Sequence, residues 1–233
     1  MQNPSRYAVF FMPDAASALW QFGCRVTGYD AADPSRAALA PDDPFAAARA
    51  AGAFADPTRY GFHATLKAPF ELAVGASEAE LLSAAREIAT ETTAIPLGRL
   101  HIARLHHFLA LVPVSPPPAL EVLAARCVEA FDRFRAPLSA ADRARRLQSP
   151  LSVAETAHLD RWGYPYVFEQ FRFHMTLTGP LAPEQIGPMQ ARLAHLYASI
   201  DAEVAMDGFA IFQQRDRAGR FHVAERFVFS GGN

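Results

Sequence analysis

The chain is poor in the residues that mark several specialised classes of protein. It has two cysteines in 233 residues, which provide neither a disulfide framework nor a zinc-ligand spacing. Lys and Arg number 22 against 24 Asp and Glu, so the overall charge attracts neither nucleic acid nor an anionic membrane. No apolar run approaches the length that crosses a bilayer. These shortages argue against a disulfide scaffold, a strongly basic protein and a transmembrane protein.

The opening residues also lack the pattern of a secretion signal. The stretch MQNPSRYAVFFMPD contains no long apolar run and soon reaches an acidic residue. Two isolated thiols fit a reducing compartment. The sequence therefore predicts a cytoplasmic protein with no membrane partner.

What the chain does contain is one unusual octet, Phe-His-x-Thr-Leu-x-x-Pro, in two copies. The first lies within RYGFHATLKAPF (59–70) and the second within FRFHMTLTGPL (171–181). Their histidines, His63 and His174, are 111 positions apart.

Secondary-structure signals repeat after the octets as well. After the first octet, a capping-box pattern at Ser77 predicts a helix, and apolar β-formers predict strands over 97–105 and 106–114. After the second, a helix with proline in its first turn precedes predicted strands over 203–214 and 220–229. The same order of elements therefore follows both octets.

This duplication predicts an α+β protein that forms a single bilobal domain over 1–233. Approximate repeat units at 59–114 and 171–229 are expected to form two pseudo-symmetric, mostly antiparallel sheets with helices outside and a central cleft. The connections 27–57 and 136–170 exceed usual loop lengths and are predicted as lid segments.

Alternation along a strand predicts which octet residues share a face. In each copy the histidine shares its face with the residues two and four positions later: His63 with Thr65 and Lys67, and His174 with Thr176 and Thr178. The apolar residues between them require a core, so the polar sets are expected to face a common cleft.

Two imidazoles in one cleft suit phosphoryl transfer. One can take a proton from water while the other gives a proton to the leaving oxygen. Threonine hydroxyls two residues later can hold the phosphate oxygens. The predicted catalytic residues are therefore His63, Thr65, His174 and Thr176. The octets contain no carboxylate or cysteine, so the predicted reaction uses no metal and no cofactor.

The competing interpretation is that the duplication preserved a purely structural octet. A single His-x-Thr on a strand carries no functional information. A structural role explains the repeated apolar residues and the proline, but it gives no reason for both histidine–threonine pairs.

With these motifs the chain resembles the two-histidine (2H) phosphoesterases, which are named for a pair of His-x-Thr/Ser motifs. The resemblance rests on His63-Ala64-Thr65 and His174-Met175-Thr176, and the duplicated layout extends it over most of the chain. It implies a bilobal α+β fold with a central cleft and metal-free opening of 2′,3′-cyclic phosphates or related esters.

Within that group, RYGFHATLKAPF and RYAVFF most resemble a bacterial branch encoded among phosphonate-utilisation genes. This resemblance implies a small phosphorylated metabolite as the partner. A ribose 5-phosphate that carries a 1,2-cyclic phosphate is the substrate that such a pathway would present.

Residues near the octets are candidates for substrate binding, namely Lys67, Arg172, Arg59, Thr178 and Tyr166. Lys67 on the His63 face would lower the pKa of that imidazole, which makes His63 the predicted base and His174 the predicted acid.

Other cations and aromatic residues have two interpretations. Arg143, Arg145 and Arg146 either meet a terminal phosphate from a lid or form a solvated helix face. Tyr60, Tyr164 and Tyr166 either stack on a ligand ring or pack in the fold.

Two further functions remain open from the sequence. One is processing or ligation of RNA ends that carry a 2′,3′-cyclic phosphate, which would need a basic and aromatic groove. The other is a non-catalytic protein that binds a phosphorylated metabolite. The two would differ in salt dependence, which is steep for RNA and weak for a small metabolite.

Overall fold

The computed structural model describes residues 5–36, 39, 42–200 and 203–231. Four positions of the predicted lid segment 27–57, namely 37, 38, 40 and 41, lie outside the described residues.

The described residues form eight strands and eight α-helices, numbered along the chain. The strands are β1 (Arg6–Phe11), β2 (Ala64–Glu71), β3 (Ile95–Leu105), β4 (Phe108–Pro113), β5 (Met175–Thr176), β6 (Glu203–Met206), β7 (Gly208–Gln214) and β8 (His222–Val228). The helices are α1 (Ala18–Thr27), α2 (Ala46–Ala50), α3 (Ala55–Tyr60), α4 (Glu78–Thr90), α5 (Ala119–Ala130), α6 (Ala140–Arg146), α7 (Val153–Trp162) and α8 (Pro183–Tyr197). Short 3-10 helices occur at Asp132–Phe134 and Phe168–Gln170.

All eight strands belong to one antiparallel sheet, in the order β6-β3-β4-β5-β2-β1-β7-β8. The α+β class and the antiparallel pairing predicted from the sequence are confirmed. The two predicted sheets are joined into one because β5 pairs with β2 at the centre of the order.

The sheet is strongly curled. Only Asp207 separates β6 from β7, yet these are the first and seventh strands in the order. In a flat sheet they would lie about 29 Å apart, at about 4.8 Å per strand. One intervening residue can span only about 7 Å, so the β6 edge must bend round towards β7.

The two repeat units exchange partners in the sheet. The hairpin β3–β4 follows the first octet but pairs with β5, which carries the second octet. The hairpin β7–β8 follows the second octet, and β1 connects it to β2 of the first. Each octet therefore pairs with at least one strand from the other half of the chain.

One face of the sheet is covered by helices. On this face the Tyr7 hydroxyl donates to Glu78 at the start of α4 (2.8 Å), and Lys67 contacts α5. Helix α4 begins with the predicted capping box, in which Ser77 and Glu80 exchange hydrogen bonds. The neighbouring side chains of β1, such as Phe10, point to the opposite face because strand residues alternate.

The structure departs from the sequence expectation at two strands. The predicted strand 203–214 is divided at Asp207 into β6 and β7, which pair with β3 and β1 respectively. The second octet forms only the two-residue strand β5.

Two properties inferred from composition can be compared with the structure. Cys24 and Cys127 are both free and buried, and Cys127 is among the buried residues of α5. Throughout the described ranges, every helix is too short or too polar to cross a bilayer.

Candidate functional site

The two octets meet at the centre of the sheet. Ala64 at the start of β2 pairs with Met175 at the start of β5, and both side chains are buried. In an antiparallel pair, directly opposite residues point to the same face, and adjacent residues point to the other. The residues on either side of this pair therefore project together from the opposite face.

Those flanking residues are the two histidine–threonine pairs. Counting one residue from the Ala64–Met175 pair places His63 opposite Thr176 and Thr65 opposite His174. All four side chains are half-buried. The octets thus form a small square of polar groups in which each histidine faces the threonine of the other copy.

Both imidazoles are held by the same backbone contact. Nδ1–H of His63 donates to the Gly61 carbonyl, and Nδ1–H of His174 donates to the Arg172 carbonyl, each at 2.8 Å. A carbonyl can only accept, so the proton lies on Nδ1 and Nε2 is left for the cleft. Nε2 of His63 lies 3.3 Å from the Thr65 hydroxyl.

Aromatic rings enclose the two histidines. The buried Phe10 ring stacks on His63 with centroids 3.8 Å apart, and Tyr60 lies 6.0 Å away on α3. Phe108 lies 5.8 Å from His174. These rings remove water from the imidazoles and fix their orientation.

This enclosure changes the pKa of both histidines. Burial lowers the pKa of His63 to about 4; the Gly61 hydrogen bond opposes the shift, and the charge of nearby His174 adds to it. Burial also lowers the pKa of His174, against the Arg172 hydrogen bond. Both imidazoles are therefore neutral at pH 7.

Lys67 is not part of this group, which corrects the sequence expectation. Phe10 of β1 lies opposite Thr65, but Val9 lies opposite Lys67, so one extra residue of β2 is accommodated at a β-bulge. The bulge shifts the alternation by one position. Lys67 consequently points to the helix-covered face, away from the histidines.

On that covered face Lys67 has a structural environment. Its Nζ donates to the Val128 carbonyl at 2.8 Å and lies 3.4 Å from Asp132. Burial lowers the pKa of Lys67 to about 8, against the attraction of Asp132. The expected effect of Lys67 on His63 is therefore wrong, and burial is what lowers the pKa of that histidine.

Two other candidates from the second octet have local roles. The exposed Arg172 side chain donates to the carbonyls of Glu169 (3.0 Å) and Phe171 (2.6 Å), and its own carbonyl orients His174. Thr178 is fully buried and accepts a hydrogen bond from the Leu109 amide at 3.0 Å. Thr178 thus connects the octet to β4 and is not open to a ligand.

The remaining two candidates lie near the first octet or on the second long connection. Arg59, in the last turn of α3, donates to the Arg217 carbonyl, and its Nε is buried without a partner. Tyr166 is 43% exposed, and its ring lies 5.5 Å from Tyr164 in an edge-on contact. Nothing in these contacts brings either side chain to an imidazole.

Sequence reasoning missed two residues of this face. Phe10 stacks on His63, and Arg6 projects from the same side of β1 four residues earlier. The sequence did contain a signal for Arg6, because strand alternation places it on the same face as the aromatic residue Phe10. In the part of the chain that the structure describes, no three His, Cys, Asp or Glu side chains are grouped as metal ligands would be.

A family model described as "Protein of unknown function (DUF1045)" matches residues 65–222, which is more than half of the chain. The match includes the second octet and begins at Thr65 of the first.

Two curated proteins are similar over almost the whole chain. "Ribose 1,5-bisphosphate phosphokinase PhnN" of Janthinobacterium sp. (strain Marseille) is 36% identical over 99% of this chain and 52% of its own length. The protein of the same description from Laribacter hongkongensis (strain HLHK9) is 38% identical over 94% of this chain and 50% of its own length. The chain thus spans about half the length of these relatives.

Among solved structures, E. coli LigT complexed with 3′-AMP is similar with a TM-score of 0.44 and 15% identity. The similarity covers 98% of this chain and 99% of that one.

Proposed function

The chain belongs to the DUF1045 family, and we propose that it is a metal-independent phosphodiesterase that opens a cyclic phosphate on a small ribose-type metabolite. The observation that carries the proposal is the pair of imidazoles anchored through Nδ1 on one face of the sheet, each opposite the threonine of the other octet.

The chemistry follows from the two free Nε2 atoms. In the proposed reaction, Nε2 of His63 takes a proton from water as the water oxygen bonds to phosphorus. Nε2–H of protonated His174 gives its proton to the ring oxygen as the bond between that oxygen and phosphorus breaks. The products are a phosphate monoester and a free sugar hydroxyl, and no net proton is consumed by the histidines.

The threonines complete the proposed site. Thr65 and Thr176 lie beside the imidazoles, where their hydroxyls can donate to the two non-bridging phosphate oxygens. Such contacts would hold the phosphorus in line between the base and the acid.

The assignment of base and acid rests on the unequal environments of the histidines. His63 is stacked on Phe10, and its pKa is lowered to about 4, so it stays neutral and able to accept a proton. A bound phosphate anion raises the pKa of a nearby imidazole. Burial also lowers the pKa of His174, but no ring among the described residues stacks on it as Phe10 stacks on His63. His174 is therefore the imidazole whose protonated form such an anion would stabilise.

The named relatives support a substrate built on phosphorylated ribose. Their description refers to ribose 1,5-bisphosphate, and they are about twice as long as this chain. The chain has no Walker-type phosphate loop. We therefore assign the kinase step to the other half of those relatives and place the present half at a neighbouring step of phosphonate utilisation.

The direct test is a phosphorus NMR assay with ribose 5-phosphate 1,2-cyclic phosphate, with and without EDTA. We expect conversion of the cyclic signal to a monoester signal in both samples, and loss of the conversion in His63→Ala and His174→Ala. Turnover only of RNA 2′,3′-cyclic ends would favour RNA processing. Binding of the metabolite without any turnover would favour a non-catalytic protein.

A further inference from the structure

A pocket on the second long connection is unusually rich in arginine. Its volume is about 40 Å³, the space of about three water molecules at 10–15 Å³ each. The cations that line it are Arg6, Arg135, Arg145, Arg146 and Arg217. Two carboxylates, Glu71 and Asp142, also line it, so five positive charges against two negative leave an excess of three.

Three of the arginines are already paired with carboxylates. Arg217 contacts both Glu71 and Asp142, which raises its pKa. Arg145 lies 2.8 Å from Asp142. Arg135 lies 2.8 Å from Asp132, outside the pocket lining. When Asp132 is included, five arginines stand against three carboxylates, and the two remaining positive charges belong to the other two arginines.

Arg6 is one of them. It is 6% exposed, and its Nε donates to the side-chain oxygen of Gln214 at 2.8 Å. Its guanidinium lies 5.4 Å from the centre of the Phe221 ring. Within the described ranges no carboxylate pairs with it, and burial lowers its pKa. A buried guanidinium held only by neutral groups is costly unless an anion joins it.

Arg146 is the other. Its Nε is buried without any hydrogen-bond partner, and its guanidinium lies 4.9 Å from the Tyr164 ring centre. Burial lowers its pKa, and the charge of neighbouring Arg145 lowers it too. The described part of the chain provides no carboxylate partner for Arg146.

Tyr60 connects this pocket to the histidines. Its ring lies 6.0 Å from His63 and stacks on Phe221 at 5.2 Å. The Arg6 guanidinium lies over that same Phe221 ring, 5.4 Å from its centre. The path from His63 past Tyr60 therefore leads to Arg6, which lines the pocket together with Arg146.

The spacing along β1 sets the scale of this path. Phe10, which stacks on His63, and Arg6 lie on one face of the strand and are four residues apart. This corresponds to about 13 Å between their backbones. An arginine side chain extends several ångströms from its backbone. A phosphate bound between the two guanidiniums would therefore be separated from the histidines by about the length of one sugar.

We propose that Arg6 and Arg146 form a subsite for a terminal phosphate monoester, so that the substrate carries two phosphate groups on one sugar. The cyclic ester reacts between the histidines, and the second phosphate is held in the arginine pocket. This inference rests on the proposed function for the identity of the first phosphate only. A monoester phosphate carries a charge of about −1.5 to −2 at neutral pH and three acceptor oxygens, which suits two guanidiniums better than a carboxylate does.

The test is calorimetric binding of ribose 5-phosphate, with ribose as the ligand that lacks the phosphate. We expect Arg146→Gln to weaken the binding of ribose 5-phosphate about tenfold to a hundredfold, as for one lost charge-assisted contact. Arg143→Gln is the matched control on the same helix. Its guanidinium pairs with Asp160 at 2.7 Å and does not line the pocket, so it should bind as the unchanged protein does.

A second variant and an NMR titration test the same subsite independently. Arg6→Gln gives a second variant in case Arg146→Gln does not fold. In the unchanged protein, ribose 5-phosphate should shift the Nε–H NMR signals of Arg6 and Arg146, which requires no variant. Equal affinity for ribose and ribose 5-phosphate, or equal binding by Arg146→Gln and Arg143→Gln, would overturn the subsite.

An activity measurement separates this inference from the proposed function. The ratio of kcat/KM for a cyclic phosphate with a terminal phosphate to that for one without it should fall about tenfold in Arg146→Gln. If no cyclic phosphate is hydrolysed but ribose 5-phosphate still binds through Arg146, the proposed function fails and the subsite stands.

Discussion

His63 and His174 make the same backbone contact, with Nδ1–H donating at 2.8 Å to the carbonyl oxygen two residues earlier in the chain. The two octets therefore share a local backbone geometry as well as a sequence motif. That geometry fixes the tautomer of both rings and directs both Nε2 atoms outwards, as a base and an acid require.

Removing either imidazole should abolish most of the activity. We expect His63→Ala and His174→Ala each to lower kcat by roughly 10²–10⁴-fold, the usual range for a lost acid or base. A nitrophenyl ester needs little proton donation because its leaving group is good. It should therefore rescue His174→Ala much more than His63→Ala, and equal rescue in steady-state assays would contradict the assignment.

The pH dependence should be displaced to the acidic side. The base must be deprotonated, which requires a pH above about 4 for His63. The acid must be protonated, which requires a pH below the pKa of His174, and burial lowers that pKa from 6.5. We expect kcat/KM to be highest between these limits and to fall above pH 6.5. A rise in kcat/KM from pH 6.5 to 8 would show that other groups titrate.

Gly61 should be required for the position of His63. Its φ of 76° and ψ of 174° lie in a region that is essentially restricted to glycine. A Cβ at this position would also lie 2.8 Å from Ala31 Cβ. We expect Gly61→Ala to move the carbonyl that orients His63, to lower kcat about tenfold or more, and to change the His63 ring signals in nitrogen NMR.

Gly75→Ala is the matched control for that substitution. Gly75 also has a positive φ, of 87°, but no atom lies within 4 Å of a Cβ built there. It should lose stability by about 1–3 kcal/mol through backbone strain while kcat is unchanged. If both variants lose activity equally, the effect of Gly61→Ala is not specific to the histidine.

Lys67 should affect stability and not catalysis. Because its Nζ lies on the helix-covered face, Lys67→Met is expected to keep kcat within about twofold. The folded state lowers the pKa of Lys67 from 10.5 to about 8, so the unfolded chain binds more protons between these values. The free energy of unfolding should therefore rise with pH from 8 to 10.5 in the unchanged protein, by up to about 3 kcal/mol. Denaturant titrations of Lys67→Met should lack this rise.

The sequence predicted the polar square well because its pattern is local. Strand alternation places a histidine and the threonine two positions later on one face, and this holds at His63–Thr65 and at His174–Thr176. The capping box at Ser77 was equally predictable because all its contacts lie within one helical turn.

The errors arose where distant strands decide the outcome. The bulge that turns Lys67 away from the histidines depends on the register between β1 and β2, which is not encoded in the octet. Thr178 is buried and accepts a hydrogen bond from the Leu109 amide, which belongs to the other half of the chain. The role of Arg6 depends on α6, more than 130 residues away.

The exchange of partners between the repeats has a consequence during synthesis of the protein. Strand β1 is synthesised before both of its neighbours, and one of its two edges is completed only by β7, near residue 214. The second octet also arrives late, more than 100 residues after the first. Neither half can therefore bring the two histidines together by itself, and the partly made chain has an open sheet edge that other chains could join. Folding should be slow for a protein of this size because its central contacts span most of the chain.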